Sequence, residues 1–312
     1  MPLQSLSASL ATLAALRTAH PLATYGKLVA VAMCWGGTFI AGRSVAHALP
    51  VMVGATARFA VAALLLVLLA YWKEGGLPRL SRQQLVRTML LGLTGIFLYN
   101  LCFLGALGRI PAGRAALFVA LNPIVTALAA AAMMRERLSG RKWFGIALAF
   151  VGAVIVITRG DFAGTVHGFK SSLGAGELLM LASACSWAAY TLIGRHALTE
   201  LSPIAATTYA ALWGLFFLAV GAAGQINQVD WNTVGWTSWA AVGYLGAIGT
   251  VIGFVWYYEG VKALGPSRAA VFNNLVPVFG VGFGALLLGE PVLVSMVVGG
   301  VVTVAGVMLT SR

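Results

Sequence analysis

The chain carries one stretch twice, and no other feature restricts its fold so much. From Gly113 it reads GRAALFVALNPIVTALAAAAMMRERLSGRKWFGIALAFVGAVIVI, and from Ser267 it reads SRAAVFNNLVPVFGVGFGALLLGEPVLVSMVVGGVVTVAGVMLTS. A gapless shift of 154 positions places Arg114 on Arg268, Phe118 on Phe272, Pro123 on Pro277, Glu136 on Glu290, Gly145 on Gly299 and Gly152 on Gly306. Self-similarity at one fixed offset over this length marks a duplicated structural unit. Each copy is two apolar runs around a short polar connection, hence a pair of helices. The duplication extends further: Trp35, Gly42 and Arg43 recur as Trp187, Gly194 and Arg195 at an offset of 152, and Leu91, Gly92 and Gly95 recur as Leu245, Gly246 and Gly249 at 154.

Such runs cannot remain in water. Sixty percent of the 312 residues are hydrophobic and 9% are charged, against roughly a quarter charged in soluble domains, and the mean hydropathy is +0.92. The predicted class is an all-α integral membrane protein, because a segment crossing hydrocarbon must satisfy its backbone polar groups internally. Ten runs follow: 26–44, 52–72, 86–107, 113–134, 142–158, 174–195, 203–223, 236–259, 266–288 and 291–310. Residues 1–25 are expected to be a cytoplasmic tail, able to lie on the membrane as a surface helix; Arg17 follows its apolar stretch, the reverse of a signal peptide. Residues 26–158 form the first five-helix repeat, 159–173 a connecting loop and 174–312 the second repeat. Lys and Arg concentrate at 73–87 and 135–142, connections that share one face of the membrane. By the positive-inside rule that face and both termini are cytoplasmic, in a bacterial inner membrane. Five spans per half is an odd number, so the second repeat enters the bilayer inverted. The net charge of +12 is accounted for by the anionic leaflet, without nucleic acid. Cys34, Cys102 and Cys185 each lie within an apolar run, the pattern of free thiols rather than of a disulfide or metal site.

The paired sets Pro123, Glu136, Gly145, Gly152 and Pro277, Glu290, Gly299, Gly306 resemble the EamA family of the drug/metabolite transporter superfamily. The resemblance spans about residues 26–310. It implies ten transmembrane helices in two inverted repeats, and a carrier similar to bacterial exporters of amino acids, aromatic ones among them. Arg58 looks like the family's arginine in the second span; by distance from the preceding proline its counterpart in the second half is Ala211.

Inverted repeats can exchange conformations about a site near the midplane, which is the physical basis of alternating access. The lining is expected from spans carrying polar and aromatic residues: Trp35, Thr38, Tyr99, Asn100, Asn122, Trp187, Tyr190, Trp256, Tyr257, Asn273 and Asn274. Packing is the alternative for the rings, and for Asn122 a role in satisfying a kink at Pro123, with Pro277 as its counterpart. Arg58 could pair with a substrate carboxylate or snorkel to the outer end of its span. Glu136 and Glu290, at helix ends, are expected to fix connections.

No intramembrane histidine or aspartate and no HExxH motif is present in the sequence, which argues against a membrane-embedded enzyme; no cofactor is expected. Glu177 and Glu259 lie near span ends, so facilitated diffusion or weak coupling is expected rather than proton drive. An aromatic, nearly uncharged cavity suits an amino acid or another hydrophobic zwitterion. A drug carrier, a nucleotide-sugar or other metabolite carrier, and a channel stay open, as does the oligomeric state, monomer included.

Overall fold

The computed structural model describes residues 21–122, 124–126, 128–129, 139–158, 174–264, 269 and 272–311. All regular structure among them is helical. We number the helices α1 (Pro21–Ala48), α2 (Val51–Glu74), α3 (Arg82–Leu107), α4 (Ala112–Phe118, continuing through a 3-10 turn at Val119–Leu121), α5 (Gly140–Thr158), α6 (Ala175–Ala197), α7 (Pro203–Ala222), α8 (Trp236–Leu264), α9 (Phe272–Leu288) and α10 (Val294–Ser311). Among the described residues six helices, α1, α2, α3, α6, α7 and α8, are long and apolar enough to cross a bilayer, and the apolar parts of α9 and α10 are shorter.

Local chemistry sets the boundaries. Ser81 caps α3 reciprocally with Gln84, while Ser202 caps α7 ahead of Pro203, satisfying backbone N–H groups that lack partners in a first turn. α2 and α9 end on Gly75 (φ 73°) and Gly289 (φ 64°), left-handed positions that a Cβ disfavours. Pro277 stands in the first α-helical turn of α9, directly after a 3-10 turn at Phe272–Leu275, where its missing N–H costs least. The expected kink is thus a change of helix type. Pro123 and Glu136 lie outside the described residues.

Packing follows the repeat. α2 lies on α7, α4 on α9 and α5 on α10, while the contacts of α3 with α6 and α7 are mirrored by those of α8 with α1 and α2. The direction of the pairing is legible at two glycines. A Cβ added to Gly152 would meet Thr303 and come within 2.6 Å of Gly299 O; one added to Gly306 would meet Ala149 and come within 2.5 Å of Gly145 O. Exchanging each residue for its equivalent 154 positions away converts one set into the other. Equivalent helices therefore run antiparallel, crossing backbone to backbone, as small residues allow where lipid supplies no hydrophobic drive.

α3 and α8 each widen into a π-helix, over Gly92–Leu98 and Tyr244–Ile252. Gly92 there abuts Ala210 O and Trp213 Cβ, and Gly246 abuts Arg58 O and Val61 Cβ. The structural counterpart of Arg58 is accordingly Ala210, at the same 152 offset as Trp35 and Trp187; it lies one residue before the Ala211 obtained by counting from the prolines, because Pro50 is equivalent to the N-cap Ser202 and not to Pro203.

Polar ties close both ends of the bundle. Where α1 finishes, Glu290 accepts from the backbone N–H groups of Ala112 and Gly113 (2.9 Å each) and pairs with Arg43 (3.1 Å), while Arg114 pairs with Glu177 (3.0 Å). At the opposite end Arg87 pairs with Glu200 (2.7 Å), Ser202 donates to Glu74 (2.8 Å) and Lys27 pairs with Glu259 (2.8 Å).

Candidate functional site

Arg58 occupies the second turn of α2, with its side chain carried inward to the junction of α3 and α8. It is 4% exposed, which excludes snorkelling. Its Nη1 donates to Asn100 Oδ1 (2.9 Å), and Nε and Nη2 donate to Thr250 Oγ1 (3.3 and 3.2 Å). Both acceptors are themselves fixed: Asn100 Nδ2 donates to Ile96 O (2.7 Å) and Thr250 Oγ1 to Leu245 O (2.9 Å). These carbonyls belong to the two π-helical segments, whose wider turns accommodate side-chain donors, a recurrent use of such bulges at functional sites. No carboxylate among the described residues pairs with Arg58.

Beside the guanidinium stands a wall of rings. Trp35 and Thr38 share one face of α1, and Trp187 and Tyr190 the matching face of α6, by the three-residue spacing that stacks side chains on a helix. Trp187 is the hub: its ring centroid lies 5.6 Å from Trp35, 5.5 Å from Tyr99, 5.3 Å from Tyr190 and 5.6 Å from Phe254. Trp35 Nε1 donates to Gly249 O (2.9 Å), so its orientation is locked by α8. Edge and tilted contacts of this kind favour defined ring geometry.

Together these groups enclose a cavity between the halves. Of the expected lining residues, Trp35, Thr38, Arg58, Tyr99, Asn122, Trp187 and Asn273 face it, with Phe39, Phe103, Val119, Phe254 and Val276. Its free space is about 30 Å³, enough for a water or two and too small for an amino-acid-sized solute, which fits only if the lining helices part. Asn100 stands behind Arg58. Tyr190 and Tyr257 pack behind the rings, Tyr190 stacked on Tyr258 at 5.9 Å and Tyr257 against Trp35 at 5.2 Å. Two residues fall away from it. Trp256 lies under Lys27 near the end of α8 (5.7 Å). Asn274 is buried, does not line the cavity, and has no hydrogen-bond partner for its carboxamide among the described residues.

Thr250 and Phe254 were not expected from sequence. A single threonine in an apolar run carries no periodic signal; the available sign was the Gly246–Gly249 pair beside it, which marks close approach of another helix.

A helical bundle of two like halves, with a polar, ring-lined pocket at their seam and apolar outer faces, is a membrane solute carrier. The chain belongs to the EamA-like transporter family, matching it over residues 23–158 and 174–312; it is a transporter and not an enzyme. Among curated relatives it is 29% identical to the uncharacterized transporter YyaM of Bacillus subtilis, over 81% of this chain and 82% of that protein. It is 27% identical to a probable amino-acid metabolite efflux pump of Salmonella typhimurium (89% and 91%) and 26% identical to the uncharacterized inner membrane transporter YedA of Escherichia coli (93% and 91%). A crystal structure 20% identical in sequence superposes with a TM-score of 0.66, covering 92% of this chain and 98% of that one, which establishes a shared fold.

Proposed function

We propose that the protein is an alternating-access exporter of small metabolites that join a carboxylate to an apolar or aromatic body, the class to which amino acids belong. The single observation that carries this reading is Arg58: a buried cation held only by neutral partners, at the seam of two like halves, beside a ring-lined cavity. A buried charge is costly unless compensated, and a substrate carboxylate supplies the compensation that the described residues do not. Trp35, Tyr99, Trp187 and Phe254 then hold the body of the solute, Asn122 and Asn273 offer amide groups from the other side, and Asn100 and Thr250 keep the guanidinium aimed.

The antiparallel pairing of α5 with α10 supports two repeats inverted across the membrane, with both termini cytoplasmic by the charge of the connections. The ties of Glu290 and Glu177 then lie at the periplasmic end, those of Glu200 and Glu259 at the cytoplasmic end. Breaking one set while keeping the other opens the cavity to one side at a time. Glu290 and Pro277 act structurally, Glu290 by joining the end of α9 to the start of α4. The named activity of the Salmonella relative supports efflux, and the named location of YedA supports the inner membrane. Transport by facilitated diffusion is favoured because the acidic residues nearest membrane depth, Glu177 and Glu259, are already ion-paired.

Counterflow in proteoliposomes tests the proposal. Labelled phenylalanine or leucine should accumulate transiently in vesicles preloaded with the unlabelled compound and should not in vesicles bearing Arg58→Gln. Linear, unsaturable flux without counterflow would indicate a channel. Strong acceleration by an imposed pH gradient, lost in Glu177→Gln, would overturn facilitated diffusion.

A further inference from the structure

We infer that, within the carboxylate-carrier reading on which this rests, the site selects hydrophobic monoanions lacking an ammonium group over the zwitterionic amino acids of the same skeleton. A guanidinium has five N–H donors. Thr250 Oγ1 takes those of Nε and one of Nη2, and Asn100 Oδ1 takes one of Nη1. One N–H on each terminal nitrogen is left for a ligand, and both can donate to carboxylate oxygens.

Among the described residues nothing comparable awaits a second charge. The acidic residues Glu177, Glu259, Glu290 and Glu200 are paired with Arg114, Lys27, Arg43 and Arg87 at the ends of the bundle, and none lines the cavity. The repeat makes the asymmetry sharper. Arg58 corresponds to Ala210 by the glycine contacts, and Asn100 and Thr250 correspond, at the 154 offset, to Phe254 and Ile96. One pole of the pseudo-symmetric seam thus carries a donor cluster, and the three equivalent positions at the other, Ala210, Phe254 and Ile96, are apolar.

A monoanion on Arg58 leaves the occupied cavity neutral, whereas a zwitterion leaves it with a net positive charge in a medium of low dielectric constant. Asn122 and Asn273 can solvate an ammonium but cannot neutralise it. Ring faces attract an ammonium, yet the guanidinium in the same cavity repels it.

The test is calorimetric titration of the purified full-length protein in detergent with 3-phenylpropionate, L-phenylalanine and phenethylamine, one skeleton carrying a carboxylate, both groups, or the amine. Counterflow of labelled phenylalanine is run in parallel. The inference expects 3-phenylpropionate to bind at least about tenfold more tightly than phenylalanine, and phenethylamine not to compete with it. Arg58→Gln should lose that preference and Arg58→Lys should keep only part of it, each with its unfolding transition checked. Phenylalanine binding as tightly as 3-phenylpropionate, or showing counterflow while 3-phenylpropionate fails to bind, overturns this inference and leaves the carrier reading intact. Binding of none of the three, with no counterflow, overturns both.

Discussion

The bond between Arg58 and Asn100 can be weighed by a double-mutant cycle. Replacing Asn100 with leucine conserves approximate volume but removes the acceptor 2.9 Å from Nη1 and the donor 2.7 Å from Ile96 O. Loss of a hydrogen bond to a charged group costs about 1.5–3 kcal/mol, and loss of a neutral one about 0.5–1.5 kcal/mol. Asn100→Leu should therefore destabilise the protein by about 2–4 kcal/mol. In an Arg58→Met background the neutral bond is still lost, at about 0.5–1.5 kcal/mol, but the unpaired Oδ1, at about 1–3 kcal/mol, goes with it, so the same change should be neutral or slightly stabilising. The coupling energy is then at least about 2 kcal/mol. Arg58→Met alone removes a desolvated charge worth several kcal/mol but leaves Asn100 Oδ1 without its donor, at about 1–3 kcal/mol. That protein should be as stable as the parent or more so, and inactive in counterflow. Reversible unfolding in mixed micelles measures all four corners. A coupling below about 0.5 kcal/mol, the ordinary scatter of independent sites, would refute the Arg58–Asn100 contact and with it the claim that Asn100 aims the guanidinium.

Gly152→Val and Gly306→Val should each cost about 1–3 kcal/mol by forcing α5 and α10 apart; the double variant should cost less than the sum, since one separation relieves both, and full additivity in micelle unfolding would count against the symmetric crossing. Trp187→Ala should cost about 3–5 kcal/mol in stability and raise the KM for transport more than Trp187→Phe does, as read by counterflow at graded substrate. Glu290→Gln keeps one acceptor for Ala112 or Gly113 but loses the ion pair with Arg43, so a cysteine placed at Thr38 should react faster with a periplasmic thiol reagent than in the parent; an unchanged rate would remove Glu290 from the closure of that end. The hydrogen bond from Arg87, and then that from Gln84, holds the Glu200 carboxyl below the ordinary carboxylate value. A depressed folded-state pKa means that this tie is present above the unfolded value and is lost as pH falls through the depressed one. Hydrogen exchange in residues 75–81, corrected for intrinsic rates, should thus stay slow from neutral pH into the mildly acidic range and rise only below the ordinary carboxylate value, while Glu200→Gln should exchange fast even at pH 7.

Hydropathy and internal similarity made the architecture legible, because both are properties of the chain read in order. The runs at 52–72 and 203–223 became α2 and α7, and the aromatic and amide residues expected in the lining include seven that face the cavity. The chain could not reveal which threonine meets Arg58. Thr250 meets Arg58 from within a π-helical segment, and Gly246 of that segment lies against α2, where a Cβ would come within 2.8 Å of Arg58 O. Counting from the prolines misplaced the counterpart of Arg58, since Pro50 is equivalent to Ser202 and not to Pro203; the 152 offset of Trp35 and Trp187 points to Ala210, and the glycine contacts agree with it. Trp256, read as lining, turns to Lys27 instead, for neighbouring residues on a helix diverge by about 100° and only one of Trp256 and Tyr257 can face Trp35.

By itself, then, the sequence determined that this chain is a doubled set of membrane helices, because the need to satisfy backbone groups in hydrocarbon leaves a run of apolar residues almost no other choice. Tertiary structure alone decided which of the residues that differ between the halves meet. The hydrogen-bonded cluster at the seam joins three residues on α2, α3 and α8, at positions 58, 100 and 250, and a hydrogen bond acts over about 3 Å whatever the distance along the chain.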